Sequence, residues 1–231
     1  MSLRRHVHAH DGQPGHPAGG PGADETVAAE PVRTARMEAF SDGVFAIAIT
    51  LLVLELKVPD RGAPLLRGLL DLWPSYLSFA ISFVTILIMW VNHHGQSVYL
   101  RGVDAHILFT NGFLLLFVTF IPFPTAVLAE QLLLPDARVA AGFYALSFVA
   151  INVAWMFLWH AIAHRREHMA PSLTDHHKRA IDLALVVGFC AYAAAAVVAF
   201  WSAAASVGLC MLLAVFWTWQ AFRSDAQPGA A

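Results

Sequence analysis

The sequence predicts an all-α, polytopic membrane protein of six transmembrane helices. Three observations lead there. First, 58% of the 231 residues are hydrophobic and only 13% are charged, against about 45–50% apolar and about 25% charged in a soluble domain. Second, Asp, Glu, Lys and Arg are absent from residues 72–100, 105–129, 139–163 and 183–222. Crossing about 30 Å of hydrocarbon takes roughly 20 apolar residues, so each block is long enough to span. Third, the last block would reach about 60 Å as one helix, twice the bilayer core. It therefore holds two spans with a reversal near Trp201–Ala205.

The chain opens with a contrasting segment. Residues 1–34 are rich in Gly, Pro, Ala and His and poor in large apolar side chains. Such a stretch buries too little surface to offset its ordering entropy and is expected to be a disordered tail. No apolar run follows Arg4 and Arg5, so it does not read as a signal peptide. Its histidines, His6, His8, His10 and His16, read as part of a solvated tail. The expected membrane domain covers residues 35–223, with a short disordered end at 224–231.

Within that domain the spans are predicted at 36–57, 72–93, 106–129, 138–162, 181–201 and 203–222. The loops carry helix-breaking residues: Pro59 and Gly62, Gly95 and Gly102, Pro135, and Pro171. Trp73, Trp90, Trp159, Trp217 and Trp219 fall near span ends, where amphipathic rings favour the interface. With an even number of spans both termini share a side. That side holds ten Lys and Arg residues and the opposite side four (Lys57, Arg61, Arg67, Arg138). The positive-inside rule then puts both termini in the cytoplasm and the protein in the cell membrane.

Charge and cysteine usage exclude other classes. A net charge of −2 gives no electrostatic footprint for nucleic acid. Cys190 and Cys210 lie inside apolar blocks and read as small hydrophobes.

The first span differs from the rest. Only the segment 43–54 separates Asp42 from Glu55, so the helix crosses with acids near both ends. Ionisable groups at that depth normally face protein or water. At 100° per residue, Phe40, Gly43, Ile47, Thr50, Leu51 and Leu54 share one stripe. Ser41 and Asp42 lie off it, nearer to Phe45, Ile49 and Leu52. From periodicity alone the stripe fits ordinary helix packing as well as a water-facing wall, and Gly43, Ala46 and Ala48 suit close helix contact.

This segment carries a resemblance. Arg36-x-x-x-Phe40-Ser41-Asp42, continuing Gly-Val-Phe-Ala-Ile-Ala-Ile-Thr-Leu-Leu-Val-Leu-Glu-Leu, resembles the signature of the transmembrane protein 175 family. Trp90-Val-Asn-His93-His94, Asn111-Gly-Phe-Leu-Leu-Leu-Phe and Pro122-Phe-Pro124-Thr fit the same family. Distinct motifs cover about residues 33–129; beyond them the likeness rests on the number and order of spans. The resemblance implies a potassium channel of the single-repeat prokaryotic form, assembled as a homotetramer, with the first helix of each subunit lining a central pore. It implies a constriction of bulky aliphatic residues at Ile47, Leu51 and Leu54, with Thr50 as polar neighbour. It further implies that Arg36, Phe40, Ser41, Asp42, Trp90, His93, His94 and Asn111 form a polar network holding that helix. No cofactor is implied; the ligand is the permeant potassium ion, and the surroundings are the lipid bilayer. The sequence has neither a Thr-Val-Gly-Tyr-Gly filter loop nor an Arg-periodic voltage-sensing helix.

Rival readings remain on the sequence. His160, His164 and His168 recur at helical spacing before His176-His177, a pattern that can hold zinc; the adjacent Arg165 and Arg166 suit a solvated helix extension better. His93, His94 and Asp42 admit a proton-permeable or weakly selective cation channel. A secondary transporter would need interrupted helices in matching half-positions, and only the third span is broken, at Pro122 and Pro124. The spans contain no serine–histidine–acid or paired-carboxylate cluster, so no enzyme is expected.

Overall fold

The structure, a computed structural model, describes residues 23–59, 62, 64–97, 99–164 and 174–225. Helix α1 spans Ala23–Leu51 and tightens into a 3-10 turn at Leu52–Glu55. Then come α2 (Leu65–Asp71), α3 (Trp73–Ser97), α4 (Ala105–Phe120), α5 (Pro122–Gln131), α6 (Ala137–Ala163), α7 (Asp175–Ala199) and α8 (Ala203–Asp225). Six stretches are long and apolar enough to cross a membrane, with α4 and α5 together making the third.

Two features depart from expectation at the helix ends. α1 starts at Ala23, well before the boundary expected at residue 35. Segment 23–30 is rich in Ala and Glu, and such residues extend a helix cheaply once the packed span has met the nucleation cost. Residues 1–22, with the four tail histidines, and 226–231 lie outside the described residues. The short α2 was not anticipated; Leu65, Leu66, Leu69 and Leu70 on it are all exposed.

The third span bends where its prolines demand. Pro122 has no N–H for the carbonyl of Val118, which takes the Ile121 N–H at 3.2 Å instead. Pro122 then opens α5, where a missing N–H costs nothing. A hydroxyl cluster buttresses the bend. Ser82 Oγ on α3 lies 2.7 Å from Thr125 Oγ1 on α5 and 2.8 Å from the Tyr144 hydroxyl on α6. All three side chains are buried.

α6 is the core helix, packed against α4, α5, α7 and α8. It packs tightly on α7 at Gly188, where a Cβ would stand 2.6 Å from Asn152 Nδ2. Trp159, expected at an interface, is instead buried and donates Nε1 to Asp182 Oδ1 at 2.6 Å. The indole serves the α6–α7 contact because its polar edge meets a carboxylate there. Phe200, Leu183, Val197 and Leu212 point outward and exposed, as befits helices whose outer solvent is lipid.

Candidate functional site: the first helix and its polar clamp

α1 packs on α3 and α4 through one face. Met37, Ser41, Phe45, Ala48 and Leu52 recur every three or four residues on that face and are all buried. Ile49 is half-buried against the same core. The opposite face is uncovered by the rest of the chain. On it Phe40 is 65% exposed, Ile47 57% and Leu51 37%, with Gly43 and Thr50 also exposed; Leu54, in the 3-10 turn that follows, is 73% exposed. This is the stripe that helical periodicity groups together.

Thr50 has a defined orientation. Its hydroxyl donates to the Ile47 carbonyl at 2.9 Å. The proton is therefore spent within the helix, and the remaining lone pairs make the oxygen an acceptor only.

The buried face is held by a directed chain of hydrogen bonds. His93 on α3 donates Nε2–H to Asn111 Oδ1 on α4 at 2.8 Å. Asn111 Nδ2 donates to Ser41 Oγ on α1 at 3.0 Å. Ser41 Oγ donates to the Met37 carbonyl at 2.9 Å. Every donor in the chain meets one acceptor, and the chain ends on a backbone carbonyl. His93, Asn111 and Ser41 are buried, so the arrangement satisfies His93 Nε2, the Asn111 amide and the Ser41 hydroxyl, which would be costly left alone, while His93 Nδ1 has no partner among the described residues. Around His93 pack the rings of Phe45, at 5.5 Å, and Trp155, at 6.4 Å.

A second set of contacts sits beside it. Trp90 Nε1 donates to Asp42 Oδ1 at 2.8 Å. His94 Nδ1 lies 2.8 Å from Glu38 Oε1 and its ring stacks on Trp90 at 6.1 Å. Trp90, His93 and His94 share one face of α3 through their i, i+3, i+4 spacing, so one helix engages both Glu38 and Asp42 of α1.

The expected network thus divides. Ser41, Asp42, Trp90, His93, His94 and Asn111 come together; Arg36 and Phe40 do not join them. Both are exposed, and they line an open crevice with Asp104 and Leu108 of the α4 end. Glu38 was missed by sequence reasoning. It lies in the motif segment, but its partner comes from a helix more than fifty residues away in sequence. His93 and His94 serve different acceptors, and Trp90 bridges His94 and Asp42, stacking on the one and donating to the other.

The histidine pattern on α6 resolves locally. His160 and His164 rings lie 3.8 Å apart, and His164 Nδ1 donates to the His160 carbonyl at 3.0 Å. His168 lies outside the described residues. No group of three His, Cys, Asp or Glu is placed to hold a metal among the described residues.

A six-span helical chain that clamps one helix by buried polar contacts, yet leaves a bulky aliphatic face of it bare, has the build of a membrane channel. Known proteins narrow the class. The family described as Endosomal/lysosomal potassium channel TMEM175 matches residues 36–122. A potassium channel of Chamaesiphon minutus is 47% identical over 203 residues, 86% of this chain and 98% of that one. A potassium channel of Streptomyces collinus is 40% identical, covering 79% of this chain and 90% of its own. The crystal structure of a lysosomal potassium-selective channel TMEM175 homolog from Chamaesiphon minutus superposes with a TM-score of 0.76 at 46% identity, covering 82% and 98% of the two chains. The chain belongs to the TMEM175 family, a family of ion channels and not of enzymes.

Proposed function

We propose that the protein is a potassium-selective cation channel of the cell membrane, assembled as a homotetramer with both termini cytoplasmic. α1 of each subunit lines the central pore, and Ile47, Leu51 and Leu54 form its neck. The observation that carries this reading is the bare aliphatic face of α1, behind which Phe45, Ala48 and Leu52 are packed, with the helix fixed about two turns nearer its N-terminus by Ser41, Asn111 and His93. A pore wall must be rigid from behind and open in front, and this helix is both. Four such faces about one axis close a neck that a lone subunit lacks.

An aliphatic neck excludes ions by dewetting and must widen to conduct. Dehydrating an ion costs much, and the cost is lower for potassium than for sodium. That difference favours potassium, and the acceptor oxygen of Thr50 offsets part of the lost hydration. Potassium is the permeant ligand, and the mechanism calls for no cofactor. The Lys and Arg asymmetry supports the orientation. The termination of the clamp on the Met37 carbonyl favours a mechanical role for His93 over a proton relay.

Purified protein in liposomes under bi-ionic conditions tests the reading. Ile47→Asn is expected to raise flux and weaken discrimination between potassium and sodium. Ile49→Asn, about 200° away on the helix, is expected to harm packing without moving the reversal potential. The opposite pattern would place the pore on another face of α1. A monomer that conducts fully would overturn the tetramer.

A further inference from the structure

We propose that the half-enclosed cavity among α3, α6, α7 and α8 binds an uncharged, hydroxyl-bearing amphiphile of the glycerolipid class, and that its occupancy adjusts α1 through Trp155. The coupling rests on the channel reading above; the binding does not.

The cavity measures about 500 Å³, within the range of sites for small organic ligands. It lies where the end of α3 meets the start of α7. None of its lining residues is Asp, Glu, Lys or Arg, so an anionic head group would find a countercharge only on a protonated His177 and a cationic one none. Its polar groups include carboxamides from three helices, Asn92 and Gln96 on α3, Asn152 on α6 and Gln220 on α8, beside the hydroxyls of Tyr99 and Tyr192 and the imidazole of His177. A carboxamide both donates and accepts, which complements a hydroxyl. The rest of the wall is aliphatic and aromatic, with Ile88, Leu185 and Trp217, suited to an acyl chain. One group points to an occupant directly. Asn152 Oδ1 is buried without a hydrogen-bond partner among the described residues, and a buried amide oxygen left so is costly. A ligand hydroxyl would satisfy it.

The cavity wall is also the back of the clamp. Gln96 Oε1 accepts from Trp155 Nε1 at 2.9 Å, and both line the cavity. The Trp155 ring meets His93 edge-on, and His93 leads through Asn111 to Ser41 on α1. A ligand head competing for Gln96 therefore bears on the indole that seats His93. Contiguity supplies the route; whether energy travels along it is a measurable coupling.

The test uses 1,2-dioctanoylglycerol as probe and dioctanoyl phosphatidate as the charged control, with native mass spectrometry of the purified protein. Saturable binding of one dioctanoylglycerol per subunit is expected, with phosphatidate failing to compete. Asn152→Leu and, independently, Ala184→Phe, which fills the cavity from α7, should each weaken binding about tenfold or more, the equivalent of one lost hydrogen bond to a desolvated group. Unliganded melting temperatures establish that each variant is folded. Absence of saturable binding, or equal binding by a folded Ala184→Phe, overturns the site. In liposomes, the probe should change potassium flux in the wild type and not in Ala184→Phe. Binding without any change in flux overturns the coupling. A wild type that binds the probe but conducts no potassium refutes the channel reading and leaves the site standing.

Discussion

Asn111 on α4 donates Nδ2 to Ser41 Oγ on α1 at 3.0 Å while its Oδ1 accepts from His93 on α3 at 2.8 Å. One carboxamide therefore ties three helices, using one donor and one acceptor in fixed directions. Isosteric Asn111→Leu strands the buried His93 Nε2–H and leaves the Ser41 hydroxyl only its bond to the Met37 carbonyl. About 1–3 kcal/mol of destabilisation is expected for the orphaned imidazole donor, read as a fall in melting temperature. In a double-mutant cycle, Asn111→Leu with Ser41→Ala should cost less than the sum of the two. Strict additivity would show that the contact contributes nothing.

The second set of contacts separates Trp90 from Arg36. Trp90→Phe keeps an aromatic ring beside His94 but removes the donor to Asp42. Loss of a hydrogen bond to a charged group predicts about 1.5–3 kcal/mol. Arg36, exposed and outside the clamp, should tolerate Ala within about 0.5 kcal/mol. Thermal unfolding of both variants decides it; equal losses would return Arg36 to the network.

Thr50 allows the hydroxyl to be tested apart from shape. Thr50→Val preserves the branch but removes the acceptor oxygen, and potassium-over-sodium discrimination should fall. Thr50→Ser keeps the oxygen and should retain most of it. Reversal potentials under bi-ionic conditions provide the readout. Unchanged selectivity in the valine variant would leave the aliphatic neck as the whole filter.

Two glycines offer a contrast in helix packing. A methyl at Gly188 would stand 2.6 Å from Asn152 Nδ2, whereas one at Gly142 would meet only Ala199 Cβ at 3.6 Å. Gly188→Ala must displace Asn152 or part α7 from α6, at about 1–3 kcal/mol. Gly142→Ala should be neutral or slightly stabilising, since alanine favours a helix interior over glycine. Comparison of the two melting temperatures checks the α6–α7 spacing.

The sequence by itself determined what depends on composition and period. Uncharged blocks set five of the six spans, because hydrocarbon admits few charges, and the apolar segment 43–54 marked the first. Pro122 located the bend of the third span, because a missing N–H acts at its own position. The 3.6-residue period grouped Phe40, Ile47, Thr50, Leu51 and Leu54 on one face of α1. Periodicity did not say whether that face was covered, because a stripe of Ile and Leu packs against protein, lipid or a pore alike. Only the tertiary structure decided that it is bare and that Met37, Ser41, Phe45, Ala48 and Leu52 are the packed side. Hydrogen-bond partners were likewise beyond local reading. Asn111 meets Ser41, Glu38 meets His94 and Trp159 meets Asp182 because distant helices dock at particular heights and rotations, and those are set by the packing of the whole bundle.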